Sequence, residues 1–117
     1  MPGGPRRFDD LFQFFGSVAI RRMFGGEGIF AGDLMIGLVV SDQLYLKTDE
    51  TSRAKFVAES CRPFSYKRAG AMHDTSYYAI PDRLLDDPEE FAEWARLAHR
   101  VAQAAGAKKE RKKPKRP

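Results

Sequence analysis

The chain has 117 residues, 43% hydrophobic and 12% aromatic, which fits a single domain with a core of its own. Its one cysteine, Cys61, excludes an intramolecular disulfide and any cysteine-based zinc site, and fits a reducing cytoplasm. The formal charge of +4 hides a division. Residues 108–117 hold seven of the 20 basic residues and one of the 16 acids, a net of +6, which leaves 13 basic and 15 acidic residues, a net of −2, for the rest.

Residues 1–7, MPGGPRR, carry no apolar run behind their arginines, so they read as a disordered N-terminus and not as a signal peptide. Phe8, Leu11, Phe12 and Phe15 then fall at helical spacing, with Asp9 and Asp10 early and Gly16 beyond the end. That pattern predicts a short first helix over residues 8–15. Residues 18–23 read as a strand, followed by a glycine-rich break at Gly25, Gly26 and Gly28. Residues 34–40, LMIGLVV, give the strongest strand signal and are far too short to span a bilayer. Residues 43–47 form another strand, with Leu44 and Leu46 on one face and Tyr45 and Lys47 on the other. The short connections predict antiparallel pairing as a meander.

Thr48 or Asp49 caps a second helix whose predicted apolar face is Ala54, Val57, Ala58 and Cys61, and Pro63 ends it. Residues 64–69 and 72–80 form a hairpin around Ala69-Gly70-Ala71. Asp87-Pro88-Glu89-Glu90 places a capping carboxylate before Pro at the first helical position, with Glu90 able to close a capping box. Phe91, Trp94, Ala95, Ala98, Val101, Ala102 and Ala105 make one stripe on this last helix, and Gly106 is its predicted stop. Residues 107–117 have almost no apolar side chains and self-repelling charge, which predicts a disordered basic tail. The predicted class is α+β: a two-layer domain over residues 8–106, with an antiparallel sheet of about five strands and helices packed on it.

Motifs that could carry chemistry fail on detail. The glycines at 25, 26 and 28 have no following Gly-Lys-Ser/Thr and precede a strand, not the helix N-terminus of a phosphate loop, so a turn or bulge is expected. His73, Asp74 and Ser76 name the parts of a triad, but strand neighbours 73 and 74 point to opposite faces. His99 has no ligand partner one turn on, and Asp86, Asp87, Glu89 and Glu90 are explained by helix capping. Arg21 and Arg22 alternate across a strand and do not extend a patch from Arg6 and Arg7. No catalytic, cofactor or metal site is expected. Tyr45, Tyr66, Tyr77 and Tyr78 lie on strands, where they complete a core or an interface or, on an open face, stack bases.

The order of short motifs resembles the N-terminal domain of the TfoX/Sxy family. The likeness runs from Arg22-Met23-Phe24-Gly25-Gly26 with Gly28-Ile29-Phe30, through Leu44-Tyr45-Leu46-Lys47 and Asp49-Glu50, to Pro63-Phe64 with Tyr66, Tyr77-Tyr78 with Pro81, and Trp94. Glu27 stands where an aromatic often sits in that family. The resemblance implies a two-layer domain of secretion-chaperone type, no enzymatic activity, and a part in transcription regulation of bacterial competence. Full-length members carry a second, C-terminal domain.

Residues and resemblance together lead to a non-enzymatic, cytoplasmic regulatory adaptor. Its body is expected to bind a protein partner, or itself, through an exposed sheet face or the Ala-rich last helix. Lys108, Lys109, Arg111, Lys112, Lys113, Lys115 and Arg116 either attract phosphates of nucleic acid without reading sequence or serve only as a solubilising terminus. The alternative is a direct nucleic-acid binder with Tyr45, Tyr66 and Tyr77 stacking bases. No small-molecule substrate and no membrane span are expected.

Overall fold

The computed structural model describes residues 5–23 and 25–112. A 3-10 helix, Pro5–Phe12, leads into four strands, β1 (Ala19–Met23), β2 (Gly26–Ala31), β3 (Leu34–Val40) and β4 (Gln43–Lys47). Then come α1 (Glu50–Val57), the hairpin β5 (Pro63–Arg68) and β6 (Ala71–Ala79), a second 3-10 helix, Asp82–Asp86, and the long α2 (Pro88–Lys112). The six strands form one antiparallel sheet in the order β1-β2-β3-β4-β6-β5. The α+β architecture is the expected one. The additional strand is β2, since Gly26 and Gly28 lie inside a strand and not in a break.

Turn chemistry sets the register. Ser41 and Asp42, at φ 51° and 66°, join β3 to β4, and Ala69 and Gly70, at φ 52° and 80°, join β5 to β6. Two consecutive left-handed residues give the turn whose twist suits a two-residue hairpin. A β-bulge interrupts β2 and β3, where the partners jump from Ile29–Gly37 to Phe30–Met35 and leave Ile36 as the extra residue.

α2 lies across β3 and β4. Its buried stripe of Phe91, Trp94, Ala95, Ala98 and Ala102 meets Ile29, Ile36, Leu44 and Leu46 from the sheet. Phe12 from the first 3-10 helix meets the edge of Phe91 at 5.0 Å. The residues expected to form a regular first helix instead wind as 3-10, with Phe8, Leu11 and Phe12 all buried.

α1 departs from its expected face. Ala54, Val57 and Ala58 are exposed and Cys61 is half-buried, whereas Ser52 and Phe56 are buried. Phe56 meets Trp94 edge-on at 4.8 Å, and Asp49 and Ser52 form a complete capping box. Thr48, the other candidate cap, instead anchors the strand end: its hydroxyl donates to the Ser76 carbonyl at 2.7 Å.

At α2 the Asp87 carboxylate accepts from the Glu90 N–H at 3.1 Å. The return half of the predicted box is replaced, because the Glu90 carboxylate accepts from Arg83 and from Trp94 Nε1 while the Asp87 N–H goes to Leu84. Arg83 also bonds Glu59, so one guanidinium ties the end of α1 to the start of α2. Gly106 does not stop the helix. It keeps helical φ, its α-carbon faces Leu34, and α2 runs on to Lys112, past the point where the tail was expected to begin. Glycine lowers helix stability by about 1 kcal/mol without forcing an end.

Candidate functional site

Among the described residues the helices that pack on the sheet cover one face, and the opposite face is open. Cross-strand partners share a face, so the register assigns its residues. Arg21, Gly28, Leu38, Tyr45 and Ala79 run across five strands, with Lys47 opposite Tyr77 and Tyr66 opposite His73 in the next rows. The face is apolar over most of its width. Met23, Met35, Leu38, Val40, Phe64 and Tyr77 line a groove of about 620 Å3, with Tyr66, Arg68, Thr75 and Glu27 at its margin.

Met23 belongs to one edge strand and Phe64, Tyr66 and Arg68 to the other. Six strands laid flat would hold those edges about 24 Å apart. Residues from both edges line one groove, so the sheet is curled and its open face is concave. Two strand glycines, Gly26 and Gly28, admit close neighbours on this side of the sheet. A Cβ at Gly28 would meet Met23 Sδ at 2.5 Å and Phe30 at 3.0 Å, so the bare backbone lets the methionine lie down over the strand. The far wall is the β5–β6 hairpin, whose outer half is exposed and whose β6 pairs with β4 only at Tyr77–Ala79.

The aromatic rings on this face already have neighbours. Arg21 lies over Phe30 at 4.8 Å, Lys47 over Tyr77 at 5.1 Å, and His73 stacks on Tyr66 at 5.6 Å. Tyr45 meets the edge of Phe64 at 5.4 Å. Burial pushes the hydroxyls of Tyr45 and Tyr77 above the ordinary tyrosine range. Tyr78 parts from the other three tyrosines and points into the core against Phe56.

The residues weighed for chemistry are not brought together. His73 faces Tyr66, while Asp74 accepts from the Ser65 hydroxyl at 2.6 Å on the opposite side of the hairpin. His99 sits edge-on to Phe15 at 5.9 Å. Burial, and then the Glu59 and Asp82 charges, push the Cys61 thiol up and away from reactivity. Among the described residues no three His, Cys, Asp or Glu side chains converge as a metal site, and no helix is long and apolar enough to cross a membrane. Of the tail cations, Lys108, Lys109, Arg111 and Lys112 fall in the last turns of α2, and Lys113, Lys115 and Arg116 lie outside the described residues.

The open tyrosines were legible from strand alternation, but Met23, Met35, Leu38, Val40 and Phe64 were not read as a site. The available signal was the unbroken LMIGLVV of β3, which lacks the alternation of a strand with one wet face.

A curled antiparallel sheet, helices on one side and an apolar groove on the other define a two-layer α+β domain. The chain belongs to the TfoX N-terminal domain family, whose profile matches residues 10–102. It is similar to the DNA transformation protein TfoX1 of Aliivibrio fischeri (strain ATCC 700601 / ES114), being 29% identical over 98 residues. The alignment covers 78% of this chain and 47% of that protein, so the chain spans about half the length of the curated relative it matches.

Proposed function

We propose that the chain is a non-enzymatic regulatory adaptor, cytoplasmic and competence-related, whose folded body binds a protein partner through the open sheet face. The observation that carries this reading is the concave apolar groove on a face that no element among the described residues covers. Concave apolar surface rimmed by polar residues is a recognised form of interaction site. The printed name of the relative, a DNA transformation protein, supports the competence setting. The cationic stretch from Lys108 to Arg116 adds phosphate attraction near nucleic acid.

A second reading has the sheet bind nucleic acid directly. It is favoured by Tyr45, Tyr66 and Tyr77 sharing the open face with Lys47 and Arg68. It is weakened because His73 and Lys47 each cover a ring face that a base would need, and because the groove floor is largely aliphatic.

The test is an affinity capture from the native host with three forms of the full chain. These are the wild type, a face variant (Leu38→Gln with Tyr66→Ser), and a variant with the seven tail cations changed to Gln. The expected outcome is that a defined set of proteins disappears with the face variant and persists with the tail variant. Identical protein captures from all three forms would remove the reading.

A further inference from the structure

β3 is a central strand, flanked by β2 and β4. Its sequence, LMIGLVV, has no polar residue on either face. Strands written this way are normally buried on both sides. In this chain α2 covers one side, where Ile36 and Val39 are buried, while Met35, Leu38 and Val40 remain half-exposed on the other. Among the described residues nothing covers this second face.

The charges on this face bear on what would cover it. Arg21 stands on β1, Lys47 on β4 and Arg68 on β5, so the open face carries three cations between one edge strand and the other. Within the lining itself Arg68 is the one cation and Glu27 the one acid, while Arg21 and Lys47 share the face outside that lining. Two copies of the chain joined by this face would bring together three cations and one acid from each, a like-charge excess that disfavours self-association here. Extended-strand addition needs a free sheet edge, and this groove is on a face, so side chains and not backbone must make the contacts. A helix is the element that covers an apolar sheet face, as α2 does on the other side. Met23 and Met35 in the lining give the surface the adaptability of a helix-accepting groove.

We infer that the concave sheet face receives one amphipathic helix of a protein partner, with an apolar stripe on the groove floor and acidic residues flanking it that meet Arg21, Lys47 and Arg68. This deepens the proposed function and rests on its reading of the open face.

The experiment uses the isotope-labelled full chain and four synthetic probes, followed by backbone chemical shifts and by fluorescence anisotropy. The probes are an amphipathic peptide of about 18 residues, long enough to form a helix, with a Leu/Phe stripe flanked by Glu; the same stripe flanked by Lys; the Glu-rich peptide with its stripe scrambled; and oligothymidine. The Glu-flanked stripe is expected to shift Leu38, Val40 and Tyr77 and to bind at least about tenfold more tightly than the Lys-flanked one, a difference of ~1.4 kcal/mol. Arg21→Glu with Arg68→Glu, both at exposed positions, is expected to erase or reverse that preference while the circular dichroism spectrum stays unchanged. Equal binding of both stripes at the face overturns the inference and leaves the face reading standing. A face that moves with no peptide overturns both. A face that responds to oligothymidine alone, or to protein concentration without any probe, replaces the helix by nucleic acid or by a second copy.

Discussion

Arg83 shows how a single side chain joins three elements. Its guanidinium bonds Glu59 just beyond α1 and Glu90 in the first turn of α2, and Glu90 also accepts from the buried Trp94 indole. Hydrogen bonds from Arg83 hold both carboxyls below the ordinary glutamate range, with Trp94 assisting at Glu90. A carboxyl with a depressed folded pKa stabilises the fold above its unfolded pKa, and that contribution is lost as pH falls through the folded value. The wild type is therefore expected to lose more stability than Arg83→Gln between about pH 5 and pH 3, so that their thermal midpoints converge in acid. All three groups are solvent-accessible, which keeps the effect modest and salt-sensitive. Midpoints that stay equally far apart at both ends of the pH range would refute the clamp. The participation of Arg83 was not legible in the sequence, because Glu59 is 24 positions away and only the tertiary fold brings it near. Strand alternation, by contrast, was enough to predict that Tyr45 and Lys47 share one face, and both lie on the open side.

At the level of elements, α1 depends on one anchor. Phe56 is buried against Trp94 and Tyr78, whereas Val57, its neighbour, is 56% exposed. Phe56→Ala is expected to destabilise the protein by about 3–5 kcal/mol, and Val57→Lys by no more than about 0.5 kcal/mol, as measured by denaturant unfolding. The opposite ranking would mean that the helix docks by its alanine face. Sequence periodicity selected that alanine face because Ala54, Val57, Ala58 and Cys61 recur at helical spacing. It overlooked Ser52, a polar residue that is buried as half of a capping box, and so missed the stripe it shares with Phe56. β2 was hidden for a related reason. Glycines at 26 and 28 read as a break, yet both are strand positions where bare backbone admits neighbours: a Cβ at Gly26 would collide with the Val39 carbonyl. Gly106 misled in the other direction, since glycine past an apolar stripe usually marks a stop and here continues the helix against Leu34. Long elements with strong patterning, β3 and α2 above all, were legible as to type and position.

For the whole molecule, the division between a net acidic body and the cationic residues 108–117 makes its own forecast. If six net charges contact phosphates, the log–log dependence of DNA affinity on salt has a slope of about −5. Changing the seven tail cations to Gln is expected to bring that slope close to zero while leaving the thermal midpoint of the body unchanged, as read by anisotropy on duplex DNA across a salt series. An undiminished slope would move nucleic-acid attraction to the body. Charge asymmetry of this kind is fully legible in a sequence, because it needs only counting. The groove was not, because its concavity follows from a six-strand register, a bulge at Ile36 and two strand glycines acting together.

The β5–β6 hairpin carries one wall of that groove, and its ladder with β4 spans three positions, Tyr77–Ala79, extended by the hydrogen bonds of Thr48 to Ser76. A hairpin with so few contacts outside its own ladder is expected to exchange its outer amide protons sooner than β3 and β4 do. Tyr66 and Arg68 lie in its exposed outer half, so that wall of the groove is expected to open before the floor formed by β3.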